Sequence, residues 1–250
     1  MNLKKSCLSA LACATVIVLA VGSASAATCT NASLKGPWGV LDAGLNGTQP
    51  EATVTQVTFD GAGNLTGTLT NSTNGTISTS TFTGFYSVSK NCSGYFTLNL
   101  PGGSVIRHTF AIDDAKKGMQ TIRTDNGITK AGFALAQGAA TCGTIGKKAT
   151  FAGNLAGTMS TFGPIAGAGQ VIFDGKGNIS GSVTFDVGGG FDTVSIAGTY
   201  TENANCTGTA EFTPQGFTTA NFNLVVVNAG KEVLLVETDS GSTVSGTLQQ

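Results

Sequence analysis

Phe59-Asp60-Gly61-Ala62-Gly63-Asn64-Leu65-Thr66-Gly67 returns later in the chain as Phe173-Asp174-Gly175-Lys176-Gly177-Asn178-Ile179-Ser180-Gly181. Other pairs keep the same distance. Thr28-Cys29 recurs as Thr141-Cys142, and Gly84-Phe85-Tyr86 as Gly198-Thr199-Tyr200. Asn91-Cys92-Ser93-Gly94 recurs as Asn205-Cys206-Thr207-Gly208, and Thr124-Asp125 as Thr238-Asp239, so the offset stays at 113 or 114 residues throughout. The chain is one unit written twice. A period this long marks two domains, because solenoid repeats run to about 20–50 residues.

Around the repeated stretch the pattern is that of strands. Gly and Thr recur too often for helix interiors, while Thr, Val, Ile and Phe suit a pleated, half-buried surface. Turn residues cut the first unit into runs 36–45, 51–60, 64–73, 77–89, 94–100, 104–112, 117–124 and 128–136. The second divides into 148–159, 165–174, 178–187, 191–202, 207–213, 218–228, 231–238 and 242–248. Residues two apart share a face. Val57 and Phe59 therefore point inward with their counterparts Val171 and Phe173, as do Phe82, Gly84 and Tyr86 with Ile196, Gly198 and Tyr200. Consecutive strands with short links favour a meander, and closing it removes aggregation-prone edges. The expected fold is all-β: two tandem eight-stranded antiparallel meander barrels, with two β-sandwiches as the alternative.

The start of the chain reads as an export signal. Lys4 and Lys5 precede an apolar stretch from Leu8 to Val21, and Ala24-Ser25-Ala26 supplies a small-residue cleavage pattern. The apolar stretch is shorter than the roughly 20 residues that span a bilayer. Cleavage near Ala26 divides the chain into a signal peptide 1–26, a first unit 27–137, a linker 138–140 and a second unit 141–250. The address is secreted or periplasmic, with no membrane span in the mature chain. Without Lys4 and Lys5 there remain 11 basic and 14 acidic residues, a net charge of −3. Nucleic acid is excluded as a partner, since its phosphates require a basic face.

Cys7 and Cys13 leave with the signal, and Cys29, Cys92, Cys142 and Cys206 remain. An even number in an exported chain favours disulfides, and no CxxC spacing supports a zinc site. If each unit is stable alone it holds its own bridge, which selects Cys29–Cys92 and Cys142–Cys206. Only about three residues, Gly138 to Ala140, separate the matched units, so the units are expected to lie close together and fold separately.

The repeated Phe-Asp-Gly-x-Gly-Asn and Asn-Cys-Ser/Thr-Gly segments resemble those of exported bacterial β-proteins, a likeness that spans the mature chain and implies no particular activity. Gly36-Pro37-Trp38 near the first strand is similar to the start of lipocalin-like barrels. The second unit departs from it with Ala149-Thr150-Phe151.

Few residues offer chemistry. Asp60, Asn64, Asp174 and Asn178 are weak calcium candidates, because one carboxylate per loop falls short of the six to eight oxygens calcium takes. The same residues build a hairpin turn in which Asp bonds to nearby backbone. His108 is the single imidazole and shares a face with Ile106, Phe110 and Ile112, while its counterpart is Phe222. A cavity wall is expected to include His108, Phe110 and Tyr86 in one unit and Phe222 and Tyr200 in the other. Asp113 and Asp114 point to opposite faces and make no acid pair. No GxSxG, HExxH or phosphate loop is present. Neither a catalytic set nor a cofactor is expected. The expected function is non-enzymatic: each barrel binds a small ligand or a surface partner of unknown identity. An extracellular structural or adhesive module is the alternative, and a barrel-mouth isomerase or cyclase a distant third.

Overall fold

The computed structural model describes residues 28–113, 115, 117–138 and 148–250. The first unit consists of β1 Gly36–Asn46, β2 Gln49–Phe59, β3 Asn64–Thr73, β4 Thr76–Val88, β5 Ser93–Asn99, β6 Val105–Ile112, β7 Gly118–Arg123 and β8 Ile128–Ala136. The second consists of β9 Ala149–Met159, β10 Gly163–Phe173, β11 Asn178–Val187, β12 Gly190–Glu202, β13 Thr207–Pro214, β14 Ala220–Val227, β15 Glu232–Glu237 and β16 Ser242–Gln249. Each set is a closed antiparallel meander. β1 pairs with both β2 and β8, so Trp38 faces Val57 on one side and Ala136 on the other. β9 closes the second barrel by pairing with β10 and β16. Closure distinguishes barrels from sandwiches.

Each barrel has one end shut by the repeated motif. In the first, Trp38, Phe59, Tyr86 and Phe96 meet edge-on inside, and the short 3-10 turn Asn31–Leu34 brings buried Leu34 against them. Trp38 Nε1 donates to the Leu34 carbonyl at 2.9 Å. The Cys29–Cys92 disulfide staples this turn to the β4–β5 connection, worth about 4 kcal/mol by loop-closure entropy. Phe151, Phe173 and Tyr200 form the matching floor in the second barrel. Cys206 repeats the left-handed backbone of Cys92, each with φ near 63°, and is disulfide-bonded. Cys142 lies outside the described residues, as do the signal segment and Asp114.

The expectation of two separately folding units meets a third core. Leu41, Ala52 and Val54 on the outer face of the first barrel pack on Val225, Val227, Leu234 and Val236 of the second. This layer belongs to neither barrel alone, and either unit in isolation would expose it. Two glycines set the approach. A Cβ on Gly39 would come within 2.4 Å of Val227 Cγ1, and one on Gly75 within 2.2 Å of Gly241 Cα. Hydrogen bonds frame the layer: Ser72 Oγ donates to the Ser242 carbonyl at 2.6 Å, and Gln137 Nε2 to the Val226 carbonyl at 3.0 Å. Among the described residues, no helix is long and apolar enough to cross a membrane.

Candidate functional site

The ends opposite the aromatic floors differ, although strand order and register do not. In the first barrel this end is filled with charge. Lys130 Nζ donates to Glu51 Oε1 at 2.8 Å and to Thr53 Oγ1 at 2.6 Å. It also lies 2.8 Å from Asp42 Oδ1, an ion contact that lacks hydrogen-bond geometry. Glu51 further accepts from Arg123 Nη1 at 2.9 Å, Asn46 Nδ2 at 2.9 Å and Thr73 Oγ1 at 3.0 Å. Arg123 Nε reaches Asp125 Oδ2 at 2.9 Å. Burial alone would push the Glu51 carboxyl up, but the Lys130 and Arg123 charges and its hydrogen bonds hold it below the usual range. Asp42, Glu51 and Lys130 are each no more than 5% exposed.

His108 is packed beside this network. Its ring stacks on Phe96 with centroids 4.6 Å apart, and neither ring nitrogen has a partner. Burial, opposed by Asp42 and reinforced by Lys130 and Arg123, pulls its pKa down to about 4, so the imidazole is neutral at pH 7. Two unsatisfied buried nitrogens cost stability. His108→Phe, which installs the residue of the second unit, should therefore leave the denaturation midpoint at pH 7 unchanged or raise stability by about 1 kcal/mol, the relief being partly offset by the larger ring.

The second barrel replaces that network with apolar side chains. Leu155 stands where the first has Asp42, Ile165 where it has Glu51, Gly167 where it has Thr53, and Val244 where it has Lys130. Leu and Ile are larger than Asp and Glu while Gly and Val are smaller than Thr and Lys, so these four exchanges remove the polar network and leave the summed side-chain volume nearly unchanged. This barrel holds a cavity of about 440 Å³ open at its mouth, with walls that include Leu155, Ile165, Val183, Phe185, Phe212 and Phe222. The mouth carries exposed aromatics. Phe162 and Phe217 line it at 59% and 53% exposure, and Phe191, 82% exposed, stands between the lining residues Gly190 and Asp192. Apolar surface left at the rim of an apolar cup is a mark of ligand access.

One titratable group is sunk into the wall. Glu237, at the end of β15, shares the inward face of Val233 and Leu235 and is 5% exposed. Burial pushes its carboxyl up to about 7, with Ser242 pulling down and the like charge of Asp239 adding to the rise. The Ser242 hydroxyl lies beside it. Asp239 is committed elsewhere, accepting from Asn221 N and Nδ2, both at 2.7 Å.

The residues singled out in the sequence fall as follows. Phe222 lines the cup. Tyr200 lies in the floor against Phe173, 4.9 Å away. Tyr86 is also floor: its hydroxyl donates to the Asn31 carbonyl at 3.0 Å and accepts from Gly61 N at 2.9 Å. Phe110 stacks on Phe96 in the first core. Asp60 and Asn64 form a closed turn in which Oδ1 accepts from the backbone of Ala62, Gly63 and Asn64 and Oδ2 from Asn64 Nδ2. The Asn64 side chain and these amides hold the Asp60 carboxyl down to about 2. Asp174 and Asn178 repeat the arrangement. Donors thus occupy the oxygens that calcium would use.

A larger cleft of about 560 Å³ runs between the barrels past Ala43, Gly44, Ala156 and Gly157. Ala43 and Ala156 face outward there, and Gly44 and Gly157 have no side chains to offer a ligand. The smaller cup, with its apolar walls and buried carboxyl, is the better candidate. Glu237 was legible from strand parity, as were Asp42, Glu51 and Lys130, but none stands out by residue type.

No family model matches the chain, and no curated protein does. Among solved structures it is similar to kievitone hydratase from Nectria haematococca, at 7% identity over 91% of this chain and 94% of that one, with a TM-score of 0.27. A likeness at that score carries no argument about fold or function.

Proposed function

We propose that this is an exported, non-enzymatic binding protein whose second barrel holds a small apolar ligand. The observation that carries the reading is the contrast between two barrels of one design, one filled with ion pairs and the other left as an apolar cup of about 440 Å³. A purely structural module has no use for an unfilled core, since empty apolar volume lowers stability by about 24 cal/mol per Å³. The first barrel then serves as a rigid partner, packed on the second through the shared apolar layer. Disulfide-bonded barrels suit the exported address read from the sequence. A barrel-mouth isomerase or cyclase is the second reading. It draws on Glu237, a carboxyl near neutrality, but gives it no partner base.

The test is titration with the neutral apolar dye N-phenyl-1-naphthylamine. The wild type should enhance its fluorescence saturably. Val183→Trp, which places an indole in the cup, should abolish the enhancement with the β-type circular dichroism retained. A dye signal indifferent to Val183→Trp, or none in the wild type, would leave the structural reading ahead.

A further inference from the structure

Position for position, Glu237 in the second unit replaces Arg123 in the first. Arg123 is answered within its barrel by Glu51 and Asp125. Glu237 is not answered. Ile165 stands where Glu51 would, and the retained acid, Asp239, has the wrong sign. On the neighbouring strands Phe222 of β14 pairs with Glu237 and Ser242 of β16 lies beside it, both uncharged. The ionisable residues lining the cup are Asp192, Glu237 and Asp239, and its described lining contains no Lys, Arg or His. A buried carboxyl without a counter-charge either keeps a proton or obtains a cation from outside the chain.

Resting on the reading of the cup as an apolar binding site, we propose that its ligands are apolar molecules bearing one basic nitrogen, the ammonium seated against the Glu237 carboxylate and the hydrocarbon in the cup. Anionic amphiphiles such as fatty acids are disfavoured by the three carboxylates. Neutral apolar molecules enter without using the Glu237 charge. Desolvated at the wall, the ammonium–carboxylate contact is a charge-assisted hydrogen bond in a site of low dielectric. Binding drives a proton off Glu237, so amine affinity rises with pH up to about 7, the value to which burial lifts this group, and levels above it.

The experiment is isothermal titration of the full mature chain with three matched probes: 1-naphthylmethylamine, 1-naphthylmethanol and 1-naphthoate. At pH 7 the amine should bind about tenfold or more tighter than the alcohol, the worth of one charge-assisted bond, with the naphthoate weakest. Titrations in two buffers of different ionisation enthalpy should show proton release with the amine and none with the alcohol. Glu237→Gln should bring the amine to the affinity of the alcohol and leave the alcohol as it was. Equal affinity for amine and alcohol, or an amine preference that survives Glu237→Gln, overturns the proposal while the apolar cup stands. If none of the three binds, the apolar cup itself falls and this proposal with it.

Discussion

Replacing Lys130 with methionine should destabilise the protein by about 3–5 kcal/mol, the range for a buried ion pair broken from one side. The side chain is 1% exposed, and its ammonium lies 2.8 Å from both Asp42 and Glu51. Without it, Asp42 has no cation within ion-pair distance among the described residues, and Glu51 keeps Arg123 alone. Thr53 Oγ1, which accepts from Lys130, still donates to Asn71 Oδ1 at 2.6 Å, so the loss concentrates on the two carboxylates. Urea unfolding at pH 7 should show a lower midpoint at unchanged slope. A loss under about 1 kcal/mol, the scale of an exposed pair, would mean that water reaches this end of the barrel and screens the network.

The companion variant separates charge from volume. Asp42→Leu, Glu51→Ile and Lys130→Val together install the residues that the second barrel carries at these positions. Arg123 keeps Asp125, so no buried charge is orphaned. The triple variant should recover most of what Lys130→Met loses, because apolar replacement of a whole buried network is often neutral or stabilising.

The barrels themselves were readable from the repeat and the alternation. The runs read as 64–73, 128–136 and 178–187 match β3, β8 and β11 end for end. Closure could be inferred because eight strands with short links leave edges that need partners. The charge network was readable in principle, since Trp38, Val40 and Asp42 share the inward face of β1 and Glu51, Thr53 and Val57 that of β2. What hid it is that residue type argues against burial: acidic and basic residues are almost never buried unless paired, and pairing across 79 residues, as between Glu51 and Lys130, is set by the barrel. The shared layer left a fainter trace. Leu224–Val227 and Val233–Val236 are apolar on both faces, as strands covered on two sides are, but the sequence does not say what covers the second face. The cup is the least legible feature, because it is a difference of volumes summed over strands far apart in sequence.

Glu237→Gln should have a pH-dependent effect of the unusual sign. The carboxyl sits at about 7 in the folded chain against an ordinary 4.5, raised chiefly by burial. A raised folded value means that its contribution to stability is complete below pH 4.5 and is lost as pH climbs through 7. At about 1.36 kcal/mol per unit, the full loss is about 3 kcal/mol by pH 8. Glutamine keeps the shape and takes no charge. The variant should therefore match the wild type near pH 4.5 and exceed its stability by about 3 kcal/mol at pH 8, measured by urea unfolding across that range. His108 runs the other way. With its folded value near 4 against 6.5, its contribution is present above pH 6.5 and lost as pH falls through 4. Between pH 4.5 and 6.5 the two slopes oppose each other, so the wild type should be nearly flat with respect to this pair, while Glu237→Gln rises with pH and His108→Phe falls. A Glu237→Gln variant no more stable than the wild type at pH 8 would show that water or a counter-ion already relieves the carboxyl in the open cup. A protein that keeps an unrelieved acid in an apolar wall is less stable at neutral pH than its own sequence allows, and the residue that would correct this is a single substitution away. That cost makes sense only for a site whose stabilising charge arrives with the ligand.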